Sequence, residues 1–295
     1  MERGRIGDSV PAFGTLYLCA TPIGNLEDMT YRAVRVLGEV PLIAAEDTRR
    51  TRQLLTHFGL STRLTSYHEH NKAEKGPELI GWLLAGNDLA CVSDAGLPGV
   101  ADPGSQLAAD AIAEGICVVP IPGANAALSA LIASGLDTAR FSFVGFLPRT
   151  KDKRRASLAE IANRTDTLIF YEAPHRLIET LKAILDALGD RPAAIARELT
   201  KKFEEFRRGS LSELLAWCGE NPPRGEFVIV VGGAEAVTEN MSKAEPEDVV
   251  EAVRALAAGG MAKKEAIRAT AKRTGLSRRD VYQAVLAAEG KASEE

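Results

Sequence analysis

Ser93-Asp94-Ala95-Gly96-Leu97-Pro98-Gly99-Val100-Ala101-Asp102-Pro103-Gly104 is the stretch whose reading decides the fold. It follows Leu89-Ala90-Cys91-Val92, an apolar run with the length and flanks of a buried strand. Seven of its twelve residues are Gly, Pro or Asp, a composition that no regular element tolerates. Gly96, Gly99 and Gly104 permit positive φ and close backbone approach, while Pro98 and Pro103 stiffen the path. Asp102 as N-cap and Pro103 in the first helical position predict a helix start. A strand opening through a Gly-rich loop into a helix is the layout of an α/β ligand site, although a plain strand-to-helix turn reads the same locally.

Working outward, the same layout recurs. Gly14 to Thr21 reads as a first buried strand ending in Pro22-Ile23-Gly24-Asn25-Leu26, and Thr30 caps a helix over Tyr31 to Gly38. Val40 to Ala45 predicts a second strand, followed by Glu46-Asp47-Thr48-Arg49-Arg50 and a helix to about Phe58. Arg63 to Tyr67 predicts a third, followed by His68-Glu69-His70-Asn71 and a helix to Leu84. Gly115 to Pro120 predicts a fifth, running into Pro122-Gly123-Ala124-Asn125-Ala126 and another helix. Strands alternating with helices predict an open, largely parallel sheet. Ligands of such sheets bind beyond the carboxyl ends of the strands. Segments 22–26, 46–50, 93–104 and 122–126 all fall at such ends, so they can share one crevice.

From Arg140 the pattern becomes mixed. Strands are predicted over Phe141 to Phe146, Thr167 to Tyr171, Ala193 to Leu199, Glu204 to Arg208 and Glu226 to Val231. The third and fourth of these pair around the charged turn Thr200-Lys201-Lys202, and Pro174 starts a helix. Ala234 to Pro246 has the composition of a linker. Helical periodicity follows over Val249 to Ala258, Lys263 to Thr274 and Ser277 to Ala288. Between Met261 and Tyr282 seven Lys/Arg stand against Glu265 and Asp280, and the Gly275 turn fits a helix-turn-helix or a small bundle with a solvated basic face.

Composition sets bounds. At 295 residues, 45% hydrophobic and 26% charged, the chain is long enough for two or three units with sizeable cores. No run reaches the length of a membrane span, and Met1-Glu2-Arg3-Gly4-Arg5 leads into no signal segment, so a cytoplasmic location is expected. Cys19, Cys91, Cys117 and Cys218 lack CxxC spacing and are expected as buried free thiols. The net charge of −4 argues against a general nucleic-acid binder, so such a role would need local basic patches. His68 and His70 have no further ligand nearby, and no metal is assigned.

Thr21-Pro22-Ile23-Gly24-Asn25-Leu26, Ala45-Glu46-Asp47-Thr48-Arg49, the stretch 93–104, Pro122-Gly123-Ala124-Asn125-Ala126 and Tyr171-Glu172-Ala173-Pro174-His175-Arg176 occur in an order and spacing that resemble the tetrapyrrole-methylase-like, class III S-adenosylmethionine-dependent methyltransferases. Within them the chain resembles the group acting on small-subunit ribosomal RNA. The resemblance covers about residues 13 to 233, and the tail is similar to that group's helical extension. It implies two α/β domains, 13–121 and 122–233, with the cofactor in the cleft between them. A linker (234–245) and a small C-terminal helical extension (246–290) complete the implied organisation. It also implies a homodimer and 2′-O-methylation of a cytidine in the decoding centre of 16S rRNA, within the small subunit. A precorrin-type C-methyltransferase and a non-catalytic nucleic-acid-binding sensor are the alternatives. The basic tail and the Arg-rich 45–52 segment favour RNA over a tetrapyrrole.

By resemblance the pocket for S-adenosylmethionine comprises Pro22, Ser93, Asp94, Ala95, Gly96, Val100, Ala124, Asn125, Tyr171, Glu172, Ala173 and Val228. Asp94 can serve the cofactor's polar end or cap its own turn, and Tyr171 can equally be core. A ribose hydroxyl is a poor nucleophile at neutral pH, so a base or polarising cation is expected. Glu46, Asp47, His70, Glu172 and His175 are candidates, with Asp47 beside Arg49, and Glu172 with His175 across the cleft, preferred. An ion pair fixing the loop explains Asp47 and Arg49 as well. Arg49, Arg50, Arg52, Lys151, Lys153, Arg154, Arg155, Arg176, Lys201 and Lys202 are candidate RNA contacts, although such charge runs also serve as plain solvated faces.

Overall fold

Residues 13–234 apart from Ala101 and Pro103, and residues 246–291 apart from Gly275, are described from a computed structural model. The expected linker 234–245, beyond Ala234 itself, and the Pro103 helix start therefore lie outside the described residues. Contacts divide the chain into residues 1–234 and 235–295.

The first sheet is built from β1 (Thr15–Cys19), β2 (Ile43–Ala45), β3 (Leu64–Ser66), β4 (Leu89–Val92) and β5 (Cys117–Ile121), in the order β3-β2-β4-β1-β5. Every pairing is parallel. Between the strands run α1 (Tyr31–Glu39), α2 (Thr48–His57), α3 (Lys72–Leu84) and α4 (Gly104–Ala113). Alternation decides which helix covers which face. Leu16, Leu89, Cys91 and Ala44 pack with Leu79, Leu83, Leu107 and Ala111 of α3 and α4. Cys19, Ile43, Ala45, Ala90 and Val92 pack with Ala33, Leu37 and Leu55 of α1 and α2. A one-residue slip of β4 would exchange these two sets.

Two strands differ from the sequence reading for identifiable reasons. β2 begins at Ile43 rather than Val40, because Val40 closes α1 by donating to Val36 O and Pro41 has no N–H for a ladder. β5 reaches Ile121 through Pro120, which is tolerated because β5 is an edge strand. Three cysteines are buried, but Cys117 at the start of β5 is exposed, against expectation.

The second sheet holds β6 (Phe141–Phe146), β7 (Thr167–Glu172), β8 (Pro192–Arg197), β9 (Glu205–Ser210) and β10 (Phe227–Val231), in the order β6-β7-β10-β8-β9. Only β6 and β7 run parallel. One face packs Leu168, Phe170, Ile195 and Ile229 against α6 (Lys151–Ile161), α7 (Leu177–Leu188) and α8 (Leu211–Glu220). The other packs Ile169, Ala196, Val228 and Val230 against α5 (Ala126–Ser134), with Ile23 of the first strand-end loop beside them. The element that leaves the first sheet after β5 thus belongs to the second core.

Residues 246–291 form α9 (Pro246–Ala258), α10 (Lys263–Thr274) and α11 (Arg278–Lys291) around a core of Val249, Val253, Ala266, Ile267, Val281 and Val285. Ser277 fixes the start of α11, its hydroxyl accepting the Asp280 amide at 3.1 Å.

Candidate functional site

Four strand-end loops of the first sheet meet the second sheet's β7 and β10 across a cleft. The loops after β1 and β4 are joined backbone to backbone: Thr21 N donates to Gly96 O at 2.9 Å, and Gly96 N to Thr21 O at 3.0 Å. The Thr21 hydroxyl also donates to Ser93 O at 3.1 Å. The opening stretch is held internally by Asp102, whose Oδ1 accepts the amides of Gly99 (2.6 Å) and Gly104 (2.9 Å). Gly96 and Gly99 adopt φ of +83° and +91°, where other residues are strained. Gly104 cannot carry a side chain, since a Cβ there would lie 2.7 Å from Gly99 N.

The loops after β2 and β4 are latched reciprocally. Glu46 Oε2 accepts the Asp94 amide at 3.1 Å, and Asp94 Oδ1 accepts the Asp47 amide at 3.0 Å. The outer Asp94 oxygen lies 3.2 Å from Arg50 Nη1. Asp94 thus does not cap its own turn; it fixes the neighbouring loop. Burial pushes the Glu46 carboxyl above its ordinary pKa, with Asp94 and Asp102 adding repulsion that Arg50 and the Asp94 amide only partly offset. Burial likewise raises Asp102.

The cleft encloses about 520 Å³, within the range of small-molecule sites. Its floor is Ser93, Asp94, Ala95, Gly96, Leu97 and Val100, with Glu46 and Asp102 at the carboxylate end. Its opposite wall is Phe146, Tyr171, Glu172, Ala173 and Val228. Tyr171 is braced edge-on by Phe143 and Phe146, with centroids 5.0 and 5.6 Å away, and its hydroxyl accepts the Ala127 amide at 3.2 Å. It serves both wall and core, and burial raises its pKa. A second cleft of about 420 Å³ shares Ile23, Ser93, Asp94, Ala95 and Glu226 with the first and adds Pro22, Arg50, His57 and Lys201.

Of the expected cofactor residues, Ser93, Asp94, Ala95, Gly96, Val100, Asn125, Tyr171, Glu172, Ala173 and Val228 line the main cleft. Pro22 lines the adjoining one. Ala124 lies behind the loop, its carbonyl 3.5 Å from where a Gly96 Cβ would stand. Asn125 also caps α5, accepting the Leu128 amide at 2.9 Å.

The preferred catalytic candidates fare differently. Asp47 caps α2 through the Arg49 amide at 2.8 Å and grips the Arg49 guanidinium at 3.0 and 3.2 Å. These bonds hold its carboxyl down at about 2. The pair faces solvent and lines neither cleft. The Glu172 carboxylate is fully engaged inside the protein, by the Thr180 hydroxyl (2.6 Å), the Ala173 amide (2.9 Å) and Arg176 (3.6 Å). His175 and His70 are exposed and outside both clefts. Of the acidic candidates, Glu46 and Glu172 line the cleft. Glu172 is committed to its internal partners, whereas Glu46, beside the preferred Asp47, accepts the Asp94 amide.

Among the expected RNA contacts, Arg49, Arg50, Arg52, Lys151, Lys153, Arg155 and Lys202 are exposed. Arg154 is not: it is 3% exposed, paired with Glu179 and packed in the second core. Lys201 is held by Glu198 and Glu226, both at 2.9 Å, and Arg176 donates to Leu147 O and Pro148 O. Phe146 and Glu226 line the cleft without having been singled out in sequence, whereas Ile23 comes from the expected 22–26 segment. Phe146 and Glu226 arrive through long-range packing, which no local motif reports.

Residues 15–215 match the model for Tetrapyrrole (Corrin/Porphyrin) Methylases, and residues 243–289 match the RsmI C-terminal HTH domain. The chain is similar to proteins named ribosomal RNA small subunit methyltransferase I. It is 53% identical to that of Halalkalibacterium halodurans over 276 residues, spanning 91% of this chain and 93% of the relative. It is 50% identical to that of Bacillus subtilis over 273 residues, spanning 92% and 94%. Among solved structures, uroporphyrin-III C-methyl transferase from Thermus thermophilus complexed with S-adenyl homocysteine shares the fold. The TM-score is 0.54, with 21% identity over 74% of this chain and 97% of that one.

Proposed function

Because the chain belongs to the tetrapyrrole (corrin/porphyrin) methylase family and, within it, to the ribosomal RNA small subunit methyltransferase I group, we propose that it methylates 16S rRNA from S-adenosylmethionine. The acceptor is the 2′-hydroxyl of a cytidine in the decoding centre, in the small subunit. The observation that carries the cofactor assignment is the cleft on the 93–104 loop. Leu97, Val100, Phe146 and Val228 form its apolar walls, the backbone comes close at Gly96, and Glu46, Asp94 and Asp102 gather negative charge at one end. Such a site fits a nucleoside bearing a positive charge and offers no phosphate cradle.

S-adenosylmethionine, when bound, supplies a methyl group on a positively charged sulfur. The protein's contribution is alignment, exclusion of water and removal of the hydroxyl proton. The latch between Asp94 and the 46–47 backbone fixes the two loops that meet at the carboxylate end. Glu46, whose burial makes it a stronger base than an ordinary carboxylate, takes the proton. The exposed Arg49, Arg50 and Arg52 beside the cleft steer and hold the RNA backbone, with Lys151, Lys153, Arg155 and Lys202 adding weaker attraction. This chemistry belongs in the cytoplasm, where ribosomes are assembled.

The chain works as a homodimer. Leu128 and Ile132, one turn apart on α5, and Phe141 and Phe143 on the edge strand β6 are exposed apolar groups that a second copy would cover.

The test is incubation with S-adenosylmethionine labelled in the methyl group and either small ribosomal subunits or a tetrapyrrole precursor. Label in 16S rRNA, resistant to alkaline cleavage 3′ to one cytidine, is expected. Label in the tetrapyrrole instead, or in neither, refutes the reading.

A further inference from the structure

We propose that the exposed side of α11 binds single-stranded RNA, an unpaired base stacking on Tyr282 with Arg278 and Arg279 on the flanking phosphates. The inference rests on RNA being the substrate. The inner side of α11 is defined by Val281 and Val285, 0% and 4% exposed. At 100° per residue, Tyr282 and Leu286 stand one turn apart on the flank away from that stripe. They remain 50% and 46% exposed. A solvated helix face would carry polar residues at both positions, so an aromatic ring and a leucine there mark a contact surface.

The charge around them identifies the partner. Arg278 and Arg279, about one turn before Tyr282, open the helix and are exposed. Asp280, on the same first turn, is engaged by the Ser277 hydroxyl at 2.7 Å, and the other acidic residue between Met261 and Tyr282, Glu265, is on α10. Two adjacent exposed arginines with one accessible aromatic ring suit a polyanion whose bases are free to stack. A duplex would use the cations and leave the ring idle. Because Ser277 caps the helix, Arg278 and Arg279 stand on a fixed first turn rather than on a fraying end.

The test uses the full chain and a labelled single-stranded RNA oligonucleotide, alone or annealed to its complement. Tyr282→Ala should weaken single-strand binding about tenfold or more, and Tyr282→Phe should restore it, since the ring is what stacks. Arg278→Ala/Arg279→Ala should reduce the slope of log affinity against log salt by about 1.4, two contacts at about 0.7 each. Calorimetric affinity for S-adenosylhomocysteine should not change in any variant. Single-strand affinity equal to wild type in both Tyr282→Ala and the double variant overturns the proposal. So does RNA affinity unchanged alongside lost binding to a purified small-subunit protein, which would make the face a protein-docking surface. Methyl transfer by the wild type to small subunits is scored separately. Its absence fails the functional reading, whereas active wild type with unaffected variants fails this inference alone.

Discussion

At the scale of the residue, position within a single dipeptide decides between chemistry and scaffold. Glu46 and Asp47 are adjacent, yet Glu46 reaches the cleft while Asp47 caps α2 and holds Arg49. Asp47→Asn should therefore leave the pH profile of methyl transfer in place. Glu46→Gln should not: it keeps an acceptor for the Asp94 amide but cannot take a proton. Because burial raises Glu46, wild-type kcat should fall as pH drops through that raised pKa, above the ordinary Glu value of about 4.3. The activity is present above it and lost below it. A Glu46→Gln enzyme should be slow at every pH and lack this acid limb, and a retained limb would assign the proton to another group. Glu172 is the opposite case, a carboxylate at a site whose work is internal. Glu172→Ala strips the half-buried Arg176 of its charged partner, leaves the Thr180 hydroxyl without its acceptor and empties a buried site. It should cost about 3 kcal/mol of stability in urea unfolding.

At the scale of the element, the strand-end loops carry the site, and their glycines are steric requirements. Gly104→Ala would place a Cβ 2.7 Å from Gly99 N and 3.0 Å from the Pro98 carbonyl carbon, backbone that has little room to yield. A cost of about 1–3 kcal/mol is expected, read as a lower Tm, together with weaker cofactor binding. Much of this was legible in sequence. β4 and β6 fall where their apolar runs end, and the loop at 93–104 is fixed by its Gly, Pro and Asp content. Legibility stopped where a role depends on partners distant in the chain. Nothing local distinguishes buried Arg154, bound to Glu179, from exposed Arg155. Nothing local says that Phe146 and Glu226 meet the loop after β4. The reciprocal bonds between Glu46, Asp47 and Asp94 span more than forty residues and exist only once β2 and β4 pair.

At the scale of the whole molecule, residues 1–234 and 235–295 have separate cores. A chain lacking residues 244–295 should bind S-adenosylhomocysteine like the full protein, while methyl transfer to small subunits falls. Full activity of the truncated chain would remove the helical unit from substrate recognition. The central claim, however, concerns the floor of the cleft: the loop at 93–104, latched through Asp94, binds the methyl donor. Calorimetric titration of S-adenosylhomocysteine into wild type, Asp94→Ala and Asp47→Ala tests it most directly. Saturable binding to wild type, about tenfold weaker binding to Asp94→Ala and little change in Asp47→Ala is the expected result. Wild-type affinity in Asp94→Ala, or no binding to the wild type at all, would contradict it.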